Sequence, residues 1–357
     1  MEILATPTPL PSAAGERPAD RQPDIETKLR CLESFLAAND AGAHAQRIET
    51  HMSWVLVGNT QVLKLKKPVV YPPVDYSSLG ARECNARREL RLNRRLAPDV
   101  YLGLLALQWH GGRLSAVGEA FVQPGRQTAD WAVVMRRLPQ ERMLDELIRR
   151  RELRPGDIDA LSATLAAFYR GAVRAAVDEG EYVARLRHDI ALSARMLERA
   201  AFALPHVPEA CQATDEALTQ YEGLLRARVA DGRLVEGHGD LRAEHVCLVE
   251  PPAVFDALEF DARLGEVDPF DELCFLGLEC DVVGDASIGP RLCTRIATVL
   301  GDAPAPALLR LYTAKNALMR ARLSVAHLMG PDPRRPEKWL PQASGYLKRV
   351  LMVLSGS

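Results

Sequence analysis

The sequence predicts an α+β chain in two lobes, a small N-terminal lobe on an antiparallel sheet and a larger helical C-terminal lobe. Three observations predict it. Short runs of period-two alternation, with one long helical pattern among them, fill the chain up to about Met135. Past Pro139 the period lengthens to that of amphipathic helices. The 357 residues, 47% hydrophobic and 26% charged, suffice for two cores and exclude wholesale disorder. Residues 1–23, rich in Pro and Ala and without a hydrophobic period, read as a flexible tail, residues 24–137 as the first lobe and 138–357 as the second.

The elements follow in order. Asp24 caps a helix whose stripe is Ile25, Leu29, Leu32 and Leu36. Arg47–Leu56 reads as one strand, Gly58-Asn59-Thr60 as a hairpin turn and Gln61–Lys66 as the returning strand. In that strand Val62, Lys64 and Lys66 share one face while Leu63 and Leu65 share the other. After Pro68, Pro72 and Pro73, Ser77 or Ser78 caps a long helix reaching about Leu96. Gly103–Leu107 and Leu114–Val122 are strands joined through Gly111-Gly112, and Trp131–Met135 is another. Helices are expected over Asp157–Val177, Tyr182–Leu204, Thr214–Val229, Phe270–Val282, Ala307–Leu328 and Trp339–Leu354, with short strands at Val246–Leu248 and Ala253–Phe255.

Composition narrows the function. Lys plus Arg number 45 against 47 Asp plus Glu, a net charge of −2, so no global field draws the chain to nucleic acid or anionic lipid. The arginines between Arg82 and Arg95 spread over more than one helix face without interleaved aromatics, which favours a solvated helix over a nucleic-acid surface. No run of about 18 apolar residues suggests a membrane span, and the N-terminus does not read as a secretory signal. Seven cysteines without a C-x-x-C pair disfavour a disulfide framework and fit a cytoplasmic setting. A P-loop, a dinucleotide-binding glycine fingerprint, a zincin motif and a G-x-S-x-G elbow are all missing.

The informative stretch is Val235–Asp271. It holds His238-Gly239-Asp240, then Leu241-Arg242, His245 five positions after the aspartate, and Asp256 behind the apolar Val254-Phe255. These residues resemble the aminoglycoside phosphotransferase family, which shares the protein-kinase-like fold. Its catalytic loop has the form H-G-D-x-x-x-x-N, and its metal-binding aspartate ends a short apolar strand. Asp268-Pro269-Phe270-Asp271-Glu272-Leu273 is similar to the family's D-P-x-x-D-L helix start. More narrowly, ETHMSWVL, VLKLKKPV and LNRRLAPDVYLG resemble a bacterial branch of phosphotransferase-like sequences, over roughly residues 25 to 330.

The resemblance implies an ATP-dependent small-molecule kinase, with ATP in the cleft beneath a hinge, Mg²⁺ as metal and a hydroxyl of a small molecule as acceptor. By it, Asp240 orients or deprotonates the acceptor hydroxyl, Arg242 steadies the transferring phosphoryl group and Asp256 holds Mg²⁺. Lys64, after Val62-Leu63, meets the α/β-phosphates and Glu89 anchors it, with Lys66 and Glu83 as alternatives; Met135, Arg137 and Leu138 form the hinge that meets adenine. Two departures stand out. Gly58-Asn59-Thr60 takes the place of a glycine-rich phosphate loop. His245 stands where the family has a second metal-binding Asn; imidazole suits Mn²⁺ or Zn²⁺ better than Mg²⁺, so Mn²⁺ use, loss of the second metal or its transfer to Glu259 are the consequences weighed.

The residues also admit blander readings. Lys64 and Lys66 can be edge-strand charges, Glu89 an i,i+4 helix partner, His238 and Asp271 loop braces and Asp268 a helix cap. An acidic pocket of Asp240, Glu259 and Asp261 would favour a cationic or polyhydroxylated acceptor. Two rival functions remain: a nucleotide-binding module that has lost transfer, and a metallohydrolase using His238, Asp240 and His245.

Overall fold

The computed structural model describes residues 23–71, 74–110, 112–123, 126–199, 201–330, 333 and 335–356. The tail expected over residues 1–23, Pro72, Pro73 and Gly111 therefore lie outside the described residues, Pro23 apart. Two compact units emerge. One holds the described residues up to Arg142 together with Ala253–Asp261; the other holds Met143–Pro252 and the chain from Ala262 on.

The first unit contains α1 (Ile25–Asn39), β1 (Gln46–Glu49), β2 (Ser53–Val57), β3 (Gln61–Lys66), β4 (Val70–Tyr71), β5 (Val74–Asp75), α2 (Leu79–Asn93), β6 (Tyr101–His110), β7 (Arg113–Gly118) and β8 (Thr128–Arg136). Six strands form one antiparallel sheet in the order β1-β2-β3-β8-β6-β7. Asp24 caps α1 through Thr27 N–H at 2.7 Å and Ser78 caps α2 through Ala81 N–H at 3.1 Å. Leu29, Leu32 and Leu36 of α1 pack on Leu56, Leu63, Leu65, Leu105 and Leu107, each burial contributing ~2 kcal/mol. The alternation in β3 therefore turns its leucines to α1 and its lysines to the opposite face. Within β8, Asp130 is buried between Lys28 at 2.7 Å and Arg82 at 2.9 Å.

Several expectations need correction. Arg47–Leu56 is two strands, because Thr50 Oγ1 accepts from Ser53 N–H at 2.9 Å and turns the chain there. The strand expected to reach Val122 ends at Gly118, where Glu119–Phe121 forms a 3-10 turn. β3 is an interior strand between β2 and β8, so its lysines are not edge charges.

The second unit contains α3 (Leu144–Arg150), α4 (Asp157–Gly171), α5 (Glu179–Leu197), α6 (Val207–Gln220), α7 (Glu222–Ala230), the two-residue strands β9 (Val235–Glu236) and β10 (Val246–Cys247), then β12 (Glu266–Val267), α8 (Pro269–Val283), α9 (Ile288–Leu300), α10 (Pro306–Ala326) and α11 (Pro336–Ser355); β11 (Ala253–Val254) belongs to the first unit. Helix α4 stops short of Val177 because Ala175 N–H bonds Leu234 O at 3.0 Å, drawing the chain into extended pairing. The helix expected over Thr214–Val229 is α6 and α7, broken at Tyr221. Helix α9 was not expected.

Helix α8 is the axis of this unit, with Phe270, Leu273 and Leu276 fully buried. Asp268 caps it through Phe270 N–H at 2.9 Å, and the same carboxylate accepts from Arg228 at 2.6 Å and Tyr312 Oη at 2.9 Å. Helices α8 and α9 touch backbone to backbone: a Cβ on Gly277 would stand 2.7 Å from Gly289 Cα. No described helix is long and apolar enough to cross a membrane.

Candidate functional site

In the first unit, Lys64 lies between two carboxylates. Its Nζ is 2.8 Å from Glu89 Oε1 and 2.9 Å from Asp256 Oδ1. Glu89 is fully buried, whereas the side chain of Asp256 is 43% exposed. Burial pushes the Lys64 amine towards neutrality, but Asp256, Glu89 and Glu259 outweigh it and hold the ammonium well above its ordinary pKa. Burial likewise pushes Glu89 up, and Lys64 and Lys66 overcome it, so its carboxyl stays below the usual range. Glu83 instead pairs with Arg87 in solvent at 2.9 Å. Both lysines reach Glu89, since Lys66 Nζ is 2.9 Å from its other oxygen.

Asp256 adopts φ +61°, a left-handed conformation that an aspartate tolerates at about 1 kcal/mol. Its N–H donates to Tyr101 Oη at 3.3 Å, and Ala257 N–H donates to Asn93 Oδ1 at 2.8 Å. Asn93 follows Glu89 by one helical turn, so α2 serves both the lysines and the Asp256 segment.

Met135, Arg137 and Leu138, the residues expected at the hinge, sit where β8 ends. Met135 pairs with Val62 and Tyr101. Arg137 N–H donates to Thr60 O at 2.7 Å and its Nη1 to Gly58 O at 2.8 Å. Leu138 follows at the start of the connection to the second unit. This register corrects the expectation for Gly58-Asn59-Thr60. Gln61 pairs with Arg136, while Lys66 pairs with Ser53, so that turn lies at the Arg136 end of β3 and the Thr50–Ser53 turn at the lysine end. Its donors are spent as well: Gly58 N–H bonds Gln61 O at 2.8 Å, and Thr60 N–H and Oγ1–H both bond Asp40. Neither Gly58 nor Thr60 keeps a main-chain amide for phosphate.

In the second unit, β9 and β12 pair ahead of the His238-Gly239-Asp240 loop. Gly239 carries φ +85°, which suits glycine. Its N–H donates to Glu272 Oε1, whose other oxygen accepts from Tyr169 Oη at 2.9 Å. Burial raises the Glu272 carboxyl to about 7, although the bonds from Gly239, Tyr169 and His238 pull the other way. The loop brace is thus Glu272. Asp271, expected in that role, turns away to Lys315 at 2.7 Å and Asn316 at 2.9 Å. A carboxylate one residue along the same acidic run was the available signal, and helical phase decides between them.

Asp240 is half-buried. Its N–H donates to His238 Nδ1 at 3.3 Å, and its Oδ2 accepts from Arg242 Nε at 3.1 Å. Arg242 also meets Glu244 and lies 3.1 Å from His245 Nε2. Arginine only donates, so Nε2 accepts, and the proton on Nδ1 goes to Asp240 O at 2.9 Å; this tautomer is assigned from the bonding pattern. The lone pair through which His245 was expected to ligate a metal faces Arg242. The metallohydrolase alternative finds no support in this geometry: no three His, Cys, Asp or Glu side chains converge as a metal centre requires among the described residues. Asp256 fits Mg²⁺ better, being a hard oxygen donor open to solvent. Glu259, weighed as a second metal ligand and as part of an acidic pocket, is buried on Lys66 at 2.5 Å.

No protein-family pattern matches the chain. Uncharacterised proteins of Mycobacterium tuberculosis (strain ATCC 25618 / H37Rv) and Mycobacterium bovis (strain ATCC BAA-935 / AF2122/97) are each 31% identical to it over 301 residues, 80% of this chain and 55% of theirs. The chain thus spans about half the length of the curated relatives it matches. Among solved structures, a choline/ethanolamine kinase family protein from Mesorhizobium loti superposes with a TM-score of 0.50 at 16% identity, covering 91% of this chain and 98% of that one. An aminoglycoside phosphotransferase from Streptomyces rimosus, solved with ADP and streptomycin, gives 0.46 at 16% identity over 82% and 98%. The fold is the protein-kinase-like one that the sequence motifs imply.

Proposed function

We propose that the chain is an ATP-dependent phosphotransferase that moves the γ-phosphoryl group to a hydroxyl of a small molecule. One observation carries this reading: the Lys64 ammonium is held between buried Glu89 and half-open Asp256, partners 25 and 192 positions away in the sequence. Packing alone gives no reason to gather these charges, because burying ions costs several kcal/mol each. A triphosphate with its divalent cation gives one, since it needs a fixed cation beside a hard, accessible carboxylate.

In this reading Lys64 binds the α/β-phosphates and Glu89 aims it. Asp256 holds Mg²⁺, which when bound neutralises charge on the phosphates. Asp240 orients the acceptor hydroxyl and takes its proton. Arg242, already on Asp240, turns its guanidinium to the phosphoryl oxygens. Main-chain groups of the Met135–Leu138 segment meet the adenine edge, with the Arg137 amide unavailable because Thr60 holds it. His245 stays in the loop as a brace for Asp240 and Arg242.

The test measures ADP release over a panel of hydroxyl acceptors, with nucleotide affinity measured in parallel. Asp240→Ala should lower transfer by about 10²–10⁴ and leave nucleotide affinity intact. Asp256→Ala should remove the gain in nucleotide affinity that Mg²⁺ brings. Full turnover by the Asp240 variant refutes the assignment. Nucleotide binding by the wild type with no turnover on any acceptor marks a binding module instead.

A further inference from the structure

The charges around Lys64 extend beyond the pair that phosphate binding requires. Lys66, on the same face of β3, is 3% exposed and lies 2.9 Å from Glu89 Oε2 and 2.5 Å from Glu259 Oε1. The five groups form one ladder, Asp256–Lys64–Glu89–Lys66–Glu259. Its two ends belong to a single short segment, and its centre is one carboxylate on α2. Glu89 therefore grips the Asp256–Glu259 turn at both ends through two lysines.

Lys66 is unsuited to be a second phosphate ligand. Its ammonium is buried and flanked by two carboxylates, so a phosphate would first have to displace one of them. The segment it holds needs holding. Asp256 is left-handed, and Phe260, one residue past Glu259, packs against the buried Val74 and Tyr76. Lys64 and the Tyr101 and Asn93 bonds hold the Asp256 end of the segment, and the Lys66–Glu259 pair holds its other end.

We propose that Lys66 and Glu259 are positioning residues for Asp256, fixing its carboxylate in the orientation in which it takes a divalent cation. The proposal rests on the reading of Asp256 as the metal-binding group. Side chains that hydrogen-bond a metal ligand directly are worth about 10–100-fold in metal affinity, and Lys66 and Glu259, which reach Asp256 through Glu89 and Lys64, take the lower end of that range.

The experiment uses the full chain and ADP, titrated calorimetrically in EDTA and in Mg²⁺, with Glu259→Gln, Lys66→Met and Asp256→Ala. Glu259→Gln and Lys66→Met should each cut the Mg²⁺-dependent gain in ADP affinity by about tenfold or more, with affinity in EDTA within about twofold of wild type. Hydrogen exchange on the metal-free Glu259→Gln protein should accelerate in peptides covering 253–261 while those of α1 and β6 keep wild-type rates. A full Mg²⁺ gain in Glu259→Gln overturns the proposal, as does faster exchange spread over the whole unit. Weakened binding in EDTA for Lys66→Met but not for Glu259→Gln makes Lys66 a phosphate ligand and overturns it too. Should Asp256→Ala keep the Mg²⁺ gain, the metal-binding reading fails first, and the two failures are told apart.

Discussion

Replacing Glu272 by glutamine isolates the electrostatic cost of the carboxylate that braces the His238-Gly239-Asp240 loop. The carboxyl is pushed from 4.5 to about 7, with burial as the largest cause. Because the native value is raised, the stabilising contribution is complete below about pH 4.5 and is lost as pH climbs through about 7. At ~1.4 kcal/mol per pH unit the whole window is worth about 3 kcal/mol, most of it between pH 5 and pH 8. Glutamine keeps an oxygen for Gly239 N–H and has no charge to bury. Urea unfolding of both proteins at pH 5 and pH 8 should show the variant gaining on the wild type by about 2–3 kcal/mol. A wild-type-minus-variant difference that stays constant within about 0.5 kcal/mol would refute the claim that this carboxylate is desolvated.

Two further outcomes follow from packing. Gly277→Ala should lower stability by about 1–3 kcal/mol, since its methyl would meet the backbone of α9, whereas Gly223→Ala on the open face of α7 should be neutral or stabilising by about 0.5–1 kcal/mol; thermal unfolding of the pair reads both. Asp130→Asn should cost about 3–5 kcal/mol in urea unfolding, because Lys28 and Arg82 would remain buried without their shared carboxylate. A loss under 1 kcal/mol would mean that water reaches those cations.

What the sequence made legible is local chemistry. The alternation of Gln61–Lys66 gave the strand and both its faces, and Asp24 and Ser78 gave two helix starts, because each signal lies within a few residues. What it hid depends on partners far along the chain. Nothing near Lys66 announces that Glu259 will bury it, or that β3 will be an interior strand. Helix α9 was obscured by Gly289 and Pro290 in its first turn, although Ile288, Leu292 and Ile296 recur at helical spacing. Arg47–Leu56 read as one strand because Thr50 and Ser53 are tolerated in strands, and only their side-chain bonds reveal the reversal. The H-G-D motif was visible, yet the choice of Glu272 over Asp271 as brace turns on helical phase against a loop the motif does not describe.

Ala253–Asp261 leaves the helical body, joins the sheet body and returns. The carboxylate proposed to take the cation is therefore carried with the lysine proposed to take the phosphates, while the proposed proton acceptor is carried by the other body. Severing the chain after Arg142 does not yield two self-sufficient pieces: the leading fragment would keep Lys64 and Lys66 but forfeit Asp256 and Glu259, and would strand buried positive charge with one carboxylate to answer it.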